Sequence, residues 1–182
     1  MKHVIIARCT RSGKTKLSLF LHKKGYVHYK LDTIKRAMCS CIPIKINKWD
    51  DYSPIMSSMI NTIISENGTD SVINKEFYCL ETCHVYPIDI YNQKIDNTLI
   101  VFLGYPNINK KEKIKNVRKY DKKNMWTTNM SDTELDKLID ICIQYSKEIE
   151  RQCLLLGIPF FDTSYDYNKA VKDALTYIEN NT

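Results

Sequence analysis

Ser12-Gly13-Lys14-Thr15 is the stretch of this chain whose residue types and order suit chemistry. A lysine and a hydroxyl directly behind a glycine, at the start of a helix, make a phosphate site. The first backbone N–H groups of a helix lack partners and its dipole is positive there, so an anion is held. The lysine reaches the β/γ-phosphates and the threonine hydroxyl ligates Mg²⁺. The preceding run, Val4-Ile5-Ile6-Ala7, is apolar and β-branched, and an apolar-periodic segment follows the triplet. Strand, loop and helix in that order are the context that makes a Walker A match meaningful. Thr10, Arg11, Ser12, Gly13, Lys14 and Thr15 are therefore read as nucleotide-binding residues, Lys14 also as catalytic and Thr15 as the metal ligand. ATP and Mg²⁺ are the cofactors this implies. The pattern G-x-x-x-x-G-K-[ST] asks for glycine where this chain has Arg8, so the loop entry must be built differently.

Phosphoryl transfer further needs charge stabilisation on the moving group and a residue that positions the acceptor. In an open α/β sheet such residues lie beyond the carboxyl ends of the strands. Asp32 ends the second apolar run, Glu81 the third, Gly104-Tyr105 the fourth and Asp162-Thr163-Ser164 the fifth. Asp32 is expected to meet an acceptor hydroxyl, or else only to cap the helix that begins at Thr33. Glu81 is expected near Mg²⁺ through water or on the substrate. The basic stretch Lys110 to Lys123 has the composition of a phosphate-closing lid, and Arg118 supplies its guanidinium, whose planar fork clamps phosphate better than an ammonium. Arg151 is a weaker candidate to face the site. Tyr86, Trp49 and Trp126 either stack on a ring or pack. The four histidines show neither ligand nor triad spacing.

These residues need a sheet with helices to position them. Strands are expected at Val4–Ala7, Tyr26–Leu31, Phe77–Leu80, Leu99–Leu103 and Ile158–Asp162. The apolar stripe Leu17, Phe20, Leu21 gives the first helix, which Gly25 stops. A short helix follows over 33–38, and an irregular stretch over 39–52. Ser53 as N-cap and Pro54 at the first helical position open a further helix that Gly68 ends. Asn109 with Glu112, and Ser131 with Glu134, have capping-box spacing. A long helix runs from there to Gly157, and a last one carries Val171, Ala174, Leu175 and Ile178. Continuous apolar strands indicate a parallel sheet covered on both faces. The expectation is one α/β domain over 1–182, a helical substrate-binding insertion over 33–70 and a lid-like basic segment over 105–130.

The chain has 182 residues and a formal net charge of +6, much of it concentrated in the Lys110–Lys123 stretch. A local patch favours a phosphate-bearing ligand over a nucleic-acid footprint. Seven scattered cysteines without Cys-x-x-Cys pairs read as reduced, structural thiols. No apolar run approaches the ~20 residues that span a bilayer, and residues 2–7 read as a strand rather than a signal core. A cytoplasmic protein with no membrane or nucleic-acid partner, monomeric or homodimeric, is expected.

With Ser12-Gly13-Lys14-Thr15, Asp32 after the second strand and a basic segment between the fourth and fifth, the layout resembles the small P-loop kinases of the adenylate kinase, shikimate kinase and gluconate kinase group. The resemblance covers nearly the whole chain as an order of elements. It implies a three-layer fold with a five-stranded parallel sheet of order 2-3-1-4-5, ATP-Mg²⁺ as donor and a closing lid. The turn Asp32-Thr33-Ile34-Lys35-Arg36 looks like the substrate side of such kinases, which implies Arg36 as a substrate residue beside Asp32 and Glu81. The lid has one arginine where adenylate kinases have several, and no paired arginines for a nucleoside monophosphate are seen. An ATP-dependent kinase of a nucleoside, nucleotide or other small alcohol is expected, with Lys14, Asp32 and Arg118 catalytic. The alternative is a nucleotide-binding regulatory protein without efficient transfer. A general NTPase is a third reading, without a clear Walker B aspartate.

Overall fold

The computed structural model describes residues 1–41, 49–74, 76–121 and 126–182, with side chains except at Arg8, 49–51 and 67–74. Five strands form one parallel sheet of order β2-β3-β1-β4-β5. They are β1 (His3–Arg8), β2 (Val27–Lys30), β3 (Tyr78–Thr82), β4 (Thr98–Gly104) and β5 (Phe160–Asp162). The central strand β1 is registered with Ile5 opposite Leu80 on β3 and opposite Ile100 on β4. The expected sheet and strand order are both found.

Because side chains alternate along a strand, β1 feeds two cores. Ile5 and Ala7 join Leu80 and Phe102 on one face, while Val4 and Ile6 join Cys79, Val101 and Leu103 on the other. The second face is covered by α1 (Lys14–Lys23) and α7 (Tyr167–Asn181) through Leu17, Leu21, Val171, Ala174 and Ile178. The first is covered by α3 (Trp49–Asn74), α4 (Pro87–Asn92) and α6 (Asp132–Leu156), through Met56, Ile60, Ile90, Cys142 and Cys153. Helices cover both faces, which is why the strands are apolar throughout rather than alternating. A small third cluster, Val117 with Leu135 and Ile139, seats α5 (Lys110–Tyr120) on α6. Among the described residues no helix is long and apolar enough to cross a membrane.

The local signals at helix ends are realised where they are complete. Gly25 at φ 95 and Gly157 at φ 66 take the left-handed turns after α1 and α6. Ser131 and Glu134 form the full capping box of α6. Three expectations are corrected. Ser53 is not an N-cap and Gly68 is not a terminus: α3 is already helical at Trp49 and continues to Asn74, with Pro54 inside it. Ser53 Oγ instead accepts from Tyr86 N at 2.6 Å and donates to Asp89 at 2.5 Å, so its hydroxyl ties α3 to the start of α4. The short helix α4 itself was not expected. Finally, β2 stops at Lys30 and α2 (Leu31–Cys41) starts at once, so Asp32 stands in a helical first turn. Residues 42–48 of the 33–70 insertion, with Pro43, and Lys122 and Lys123 of the basic segment lie outside the described residues.

Candidate functional site

The loop between β1 and α1 turns by means of two left-handed residues, Arg11 at φ 64 and Gly13 at φ 105. Arg8 is still strand, paired with Leu103, so no glycine turn is needed there. Gly13 is required twice over: by its φ, and because an added Cβ would come within 2.9 Å of Val171 and 3.0 Å of Tyr167 on α7. As N-cap, Gly13 offers no side chain to the first turn of α1, which also carries no acidic residue. Lys16 and Leu17 are the first amides to reach the Gly13 carbonyl. The N–H groups ahead of them are left for an anion.

The loop is braced from behind. Tyr105 Oη donates to Thr10 O at 2.7 Å, and Lys113 Nζ donates to Arg11 O at 2.8 Å while lying 3.9 Å over the Tyr105 ring. Lys113 is thus a buried strut from α5, not a mobile lid charge.

Glu81 sits within β3, 5% exposed, facing α1. It accepts from Thr15 Oγ1 at 2.6 Å, Ser18 Oγ at 2.8 Å and His28 Nε2 at 3.1 Å, and Lys14 Nζ is 3.9 Å away. Burial pushes its carboxyl up, but the His28 hydrogen bond, the Lys14 charge and the two hydroxyls outweigh it and hold it down to about 2. Glu81 is therefore ionised and belongs to the loop side of the site. Its oxygens meet α1 through Thr15 and Ser18 and β2 through His28, the placement expected of a group near Mg²⁺ rather than on the acceptor.

Asp32 is linked to Lys14 through Cys83. Its Oδ1 accepts from Cys83 N at 2.9 Å and Thr82 Oγ1 at 3.4 Å, with His84 Nε2 at 3.9 Å. Burial works to raise its carboxyl; Lys14, the Cys83 amide and His84 lower it, and the net direction is down. The carboxylate reaches across to the end of β3 instead of capping its own helix. Cys83, expected only as a reduced structural thiol, joins the two halves. Its Sγ accepts from Lys14 Nζ at 3.0 Å and lies 3.9 Å from Thr10 Oγ1, while its amide holds Asp32. The signal that locates Cys83 is its place two residues past Glu81, where β3 opens onto the loop.

Other candidates are not brought together. Arg118 points along the α5–α6 connection, donating to Thr127 O at 3.2 Å, Met130 O at 2.7 Å and Asp132 at 2.8 Å. It does not reach the phosphate loop, so the expected catalytic guanidinium is engaged elsewhere. Arg36 is exposed on α2, and no hydrogen bond or ion pair among the described residues involves it. Arg151 pairs with Glu148 on its own helix. Tyr86 stacks at a tilt on Tyr145, Trp126 is exposed, and the Trp49 side chain lies outside the described residues. Lys110 bridges to Asp136 and Asp140.

The residues present fit a magnesium nucleotide. Ser12 Oγ and Arg11 Nε are buried with no hydrogen-bond partner among the described residues, so the loop holds polar atoms that await one. The Thr15 proton is directed onto Glu81, which leaves the lone pairs of its oxygen for a cation.

No family model matches this chain, and no curated protein matches it in sequence. Solved structures do. The gluconokinase from Sinorhizobium meliloti 1021 matches with a TM-score of 0.57 at 14% identity, over 98% of this chain and 92% of that one. The dephospho-CoA kinase from Campylobacter jejuni matches with a TM-score of 0.51 at 11% identity, over 99% of this chain and 98% of that one. At such identities the likeness establishes the fold: a P-loop α/β fold of the nucleoside-monophosphate-kinase type, as strand order 2-3-1-4-5 also shows.

Proposed function

We propose that this protein is an ATP-dependent phosphotransferase acting on a hydroxyl-bearing small molecule, of nucleoside, nucleotide or other small-alcohol type. The observation that carries the reading is a second carboxylate beyond the phosphate loop. Asp32 is held by the Cys83 amide at the end of β3, the same residue whose thiol meets Lys14, and the Lys14 charge acts on its carboxyl. A protein that only held nucleotide would need the loop and Glu81 but not Asp32.

Bound ATP-Mg²⁺ would supply the phosphoryl group and the cation. Lys14 and the first-turn amides of α1 bind phosphate oxygens, and Thr15, backed by Glu81, offers the metal a ligand. Asp32 accepts a hydrogen bond from the acceptor hydroxyl and orients it. Its carboxyl is held below the usual range, so it is a weak base at neutral pH. It takes the proton late, as the acceptor oxygen loses its basicity, which suffices for a loose transition state. Arg11 contributes the guanidinium at the loop that Arg118 does not.

The neighbours' printed activities, gluconokinase and dephospho-CoA kinase, are both phosphoryl transfers to small molecules and support the class. The test is ADP release from MgATP with pooled sugars, sugar acids, nucleosides and nucleotides, for the wild type and Asp32→Asn. Release that needs an acceptor, and that falls at least a hundredfold in Asp32→Asn while MgATP binding persists, supports the kinase. A regulatory nucleotide-binding protein is the second reading, favoured by the engagement of Arg118 away from the loop. MgATP binding without release in any pool would establish it.

A further inference from the structure

Arg11 is held by a buried network that neither the phosphate loop nor the sheet requires. Its Nη2 donates to Thr127 Oγ1 at 2.5 Å and pairs with the Asp121 carboxylate. Thr127 Oγ1 in turn donates to Asp121 Oδ2, which closes a ring of three side chains. The Asp121 side chain is 5% exposed and Thr127 is fully buried. Both belong to the segment joining α5 to α6, more than a hundred residues along the chain from the loop they touch. Arg118 holds Thr127 and Met130 by donating to their carbonyls.

We infer that Asp121 and Thr127 are positioning residues that aim the Arg11 guanidinium at the nucleotide phosphates, and that Arg118 supports them by fixing the Thr127 backbone. The inference rests on the phosphate-loop reading above. Its chemistry is specific. Arg11 is a non-glycine residue in a left-handed conformation, a strained choice that persists only where surroundings enforce it. Lys113 enforces the backbone and Asp121 with Thr127 the side chain. One edge of the guanidinium is thereby occupied, while Nε is buried without a partner among the described residues. An unsatisfied donor on a cation calls for an anionic acceptor, and phosphate oxygens match it. Prepaired with Asp121, the guanidinium also stands in the loop with Lys14 without adding a net charge before nucleotide arrives. The arginine expected to touch phosphate therefore acts two contacts behind the one that does.

A double-mutant cycle read by calorimetry with MgATP tests this. Asp121→Asn and Thr127→Val are each expected to weaken MgATP about tenfold, the loss of one charge-assisted hydrogen bond in free energy. Arg118→Gln is expected to weaken it less, and Thr127→Ser to keep wild-type affinity. In an Arg11→Gln background none of these substitutions should change affinity by more than about twofold, because their effect passes through Arg11. Equal losses with and without Arg11 would overturn the inference, as would unchanged or tighter binding in Asp121→Asn. Should Asp121→Asn not fold, Thr127→Val and Thr127→Ser carry the same cycle. Lys14→Ala separates the premises: full MgATP affinity there would overturn the phosphate-loop reading itself.

Discussion

The Thr15 hydroxyl donates to the Glu81 carboxylate at 2.6 Å, joining the first turn of α1 to the strand beside β1. With Lys14, Ser18 and His28 around the same carboxylate, this is a buried charge cluster whose members satisfy one another. Removing the charge alone leaves Lys14 buried without its nearer carboxylate. Glu81→Gln is expected to lower unfolding free energy by about 3 kcal/mol, the usual cost of breaking a buried pair. Chemical denaturation measures it. Lys14→Met in the Glu81→Gln background should cost less than in the wild type, since the two share one interaction. Strict additivity would mean the 3.9 Å approach contributes nothing.

The same cluster makes stability depend on acid. The Glu81 carboxyl lies at about 2 in the folded protein against an ordinary 4.5. The unfolded chain therefore binds the proton first. The stabilisation is fully present above the unfolded value and is lost as pH falls from about 5 towards 2, on the order of 3 kcal/mol in all. Asp32 is lowered too and acts in the same direction. Glu148 is held as low by Arg151, but that pair is on the surface and solvent screens it, so it adds little. Unfolding curves taken across pH 2–6 should be markedly flatter for Glu81→Gln than for the wild type. An unchanged slope would assign the acid sensitivity to other carboxylates.

How far the site was readable depends on the range over which each signal acts. The loop-to-helix turn at Gly13-Lys14-Thr15 follows from adjacent residues, and the strands from runs of apolar residues, so these elements form where expected. Glu81 was located as a strand end, but its partner Thr15 lies 66 positions away, and no local pattern reports a pairing across the sheet. A carboxylate beside Thr15 is present inside β3, as a glutamate where a Walker B aspartate was looked for. Ser53-Pro54 has the form of a helix start, yet the helix was already under way and the hydroxyl was needed by Tyr86 and Asp89. That Arg118 bonds the α5–α6 connection was not legible, because composition marks a basic helix without saying what each of its side chains meets. Local spacing cannot distinguish Lys113, a buried strut, from Lys111, an exposed neighbour.

Cys83 gives a direct report on occupancy. Its sulfur accepts from Lys14 at 3.0 Å, at the place where phosphate is expected to draw the lysine away and cover the thiol. Saturating MgATP should slow carbamidomethylation of Cys83 by about tenfold or more, the fraction left uncovered setting the rate. The exposed Cys41 supplies an internal reference whose rate should not change. Peptide-resolved mass spectrometry separates the two. Buried Cys9, Cys79, Cys142 and Cys153 should remain unlabelled in the folded protein, and burial pushes the Cys153 thiol up to about 12. Lys14→Ala should abolish the protection. Equal Cys83 rates with and without nucleotide would place the phosphates away from this thiol.

Gly13 answers to two constraints that mutagenesis can separate. Its φ of 105 disfavours any side chain, and an added methyl would lie 2.9 Å from Val171 Cγ2 on α7. Gly13→Ala is expected to cost about 2–4 kcal/mol, left-handed strain and overpacking together. Val171→Ala removes the Cγ2 methyl but leaves the Tyr167 ring at 3.0 Å and the backbone as they were. In the double variant the crowding share, about 1 kcal/mol or more, should be recovered relative to the sum of the single changes. The strain share should persist. Full additivity would show that the Val171 methyl yields freely and that conformation or the Tyr167 ring demands glycine. Complete recovery would show instead that the loop accepts alanine at this φ, and that packing against α7 is what fixes the entry to the phosphate site.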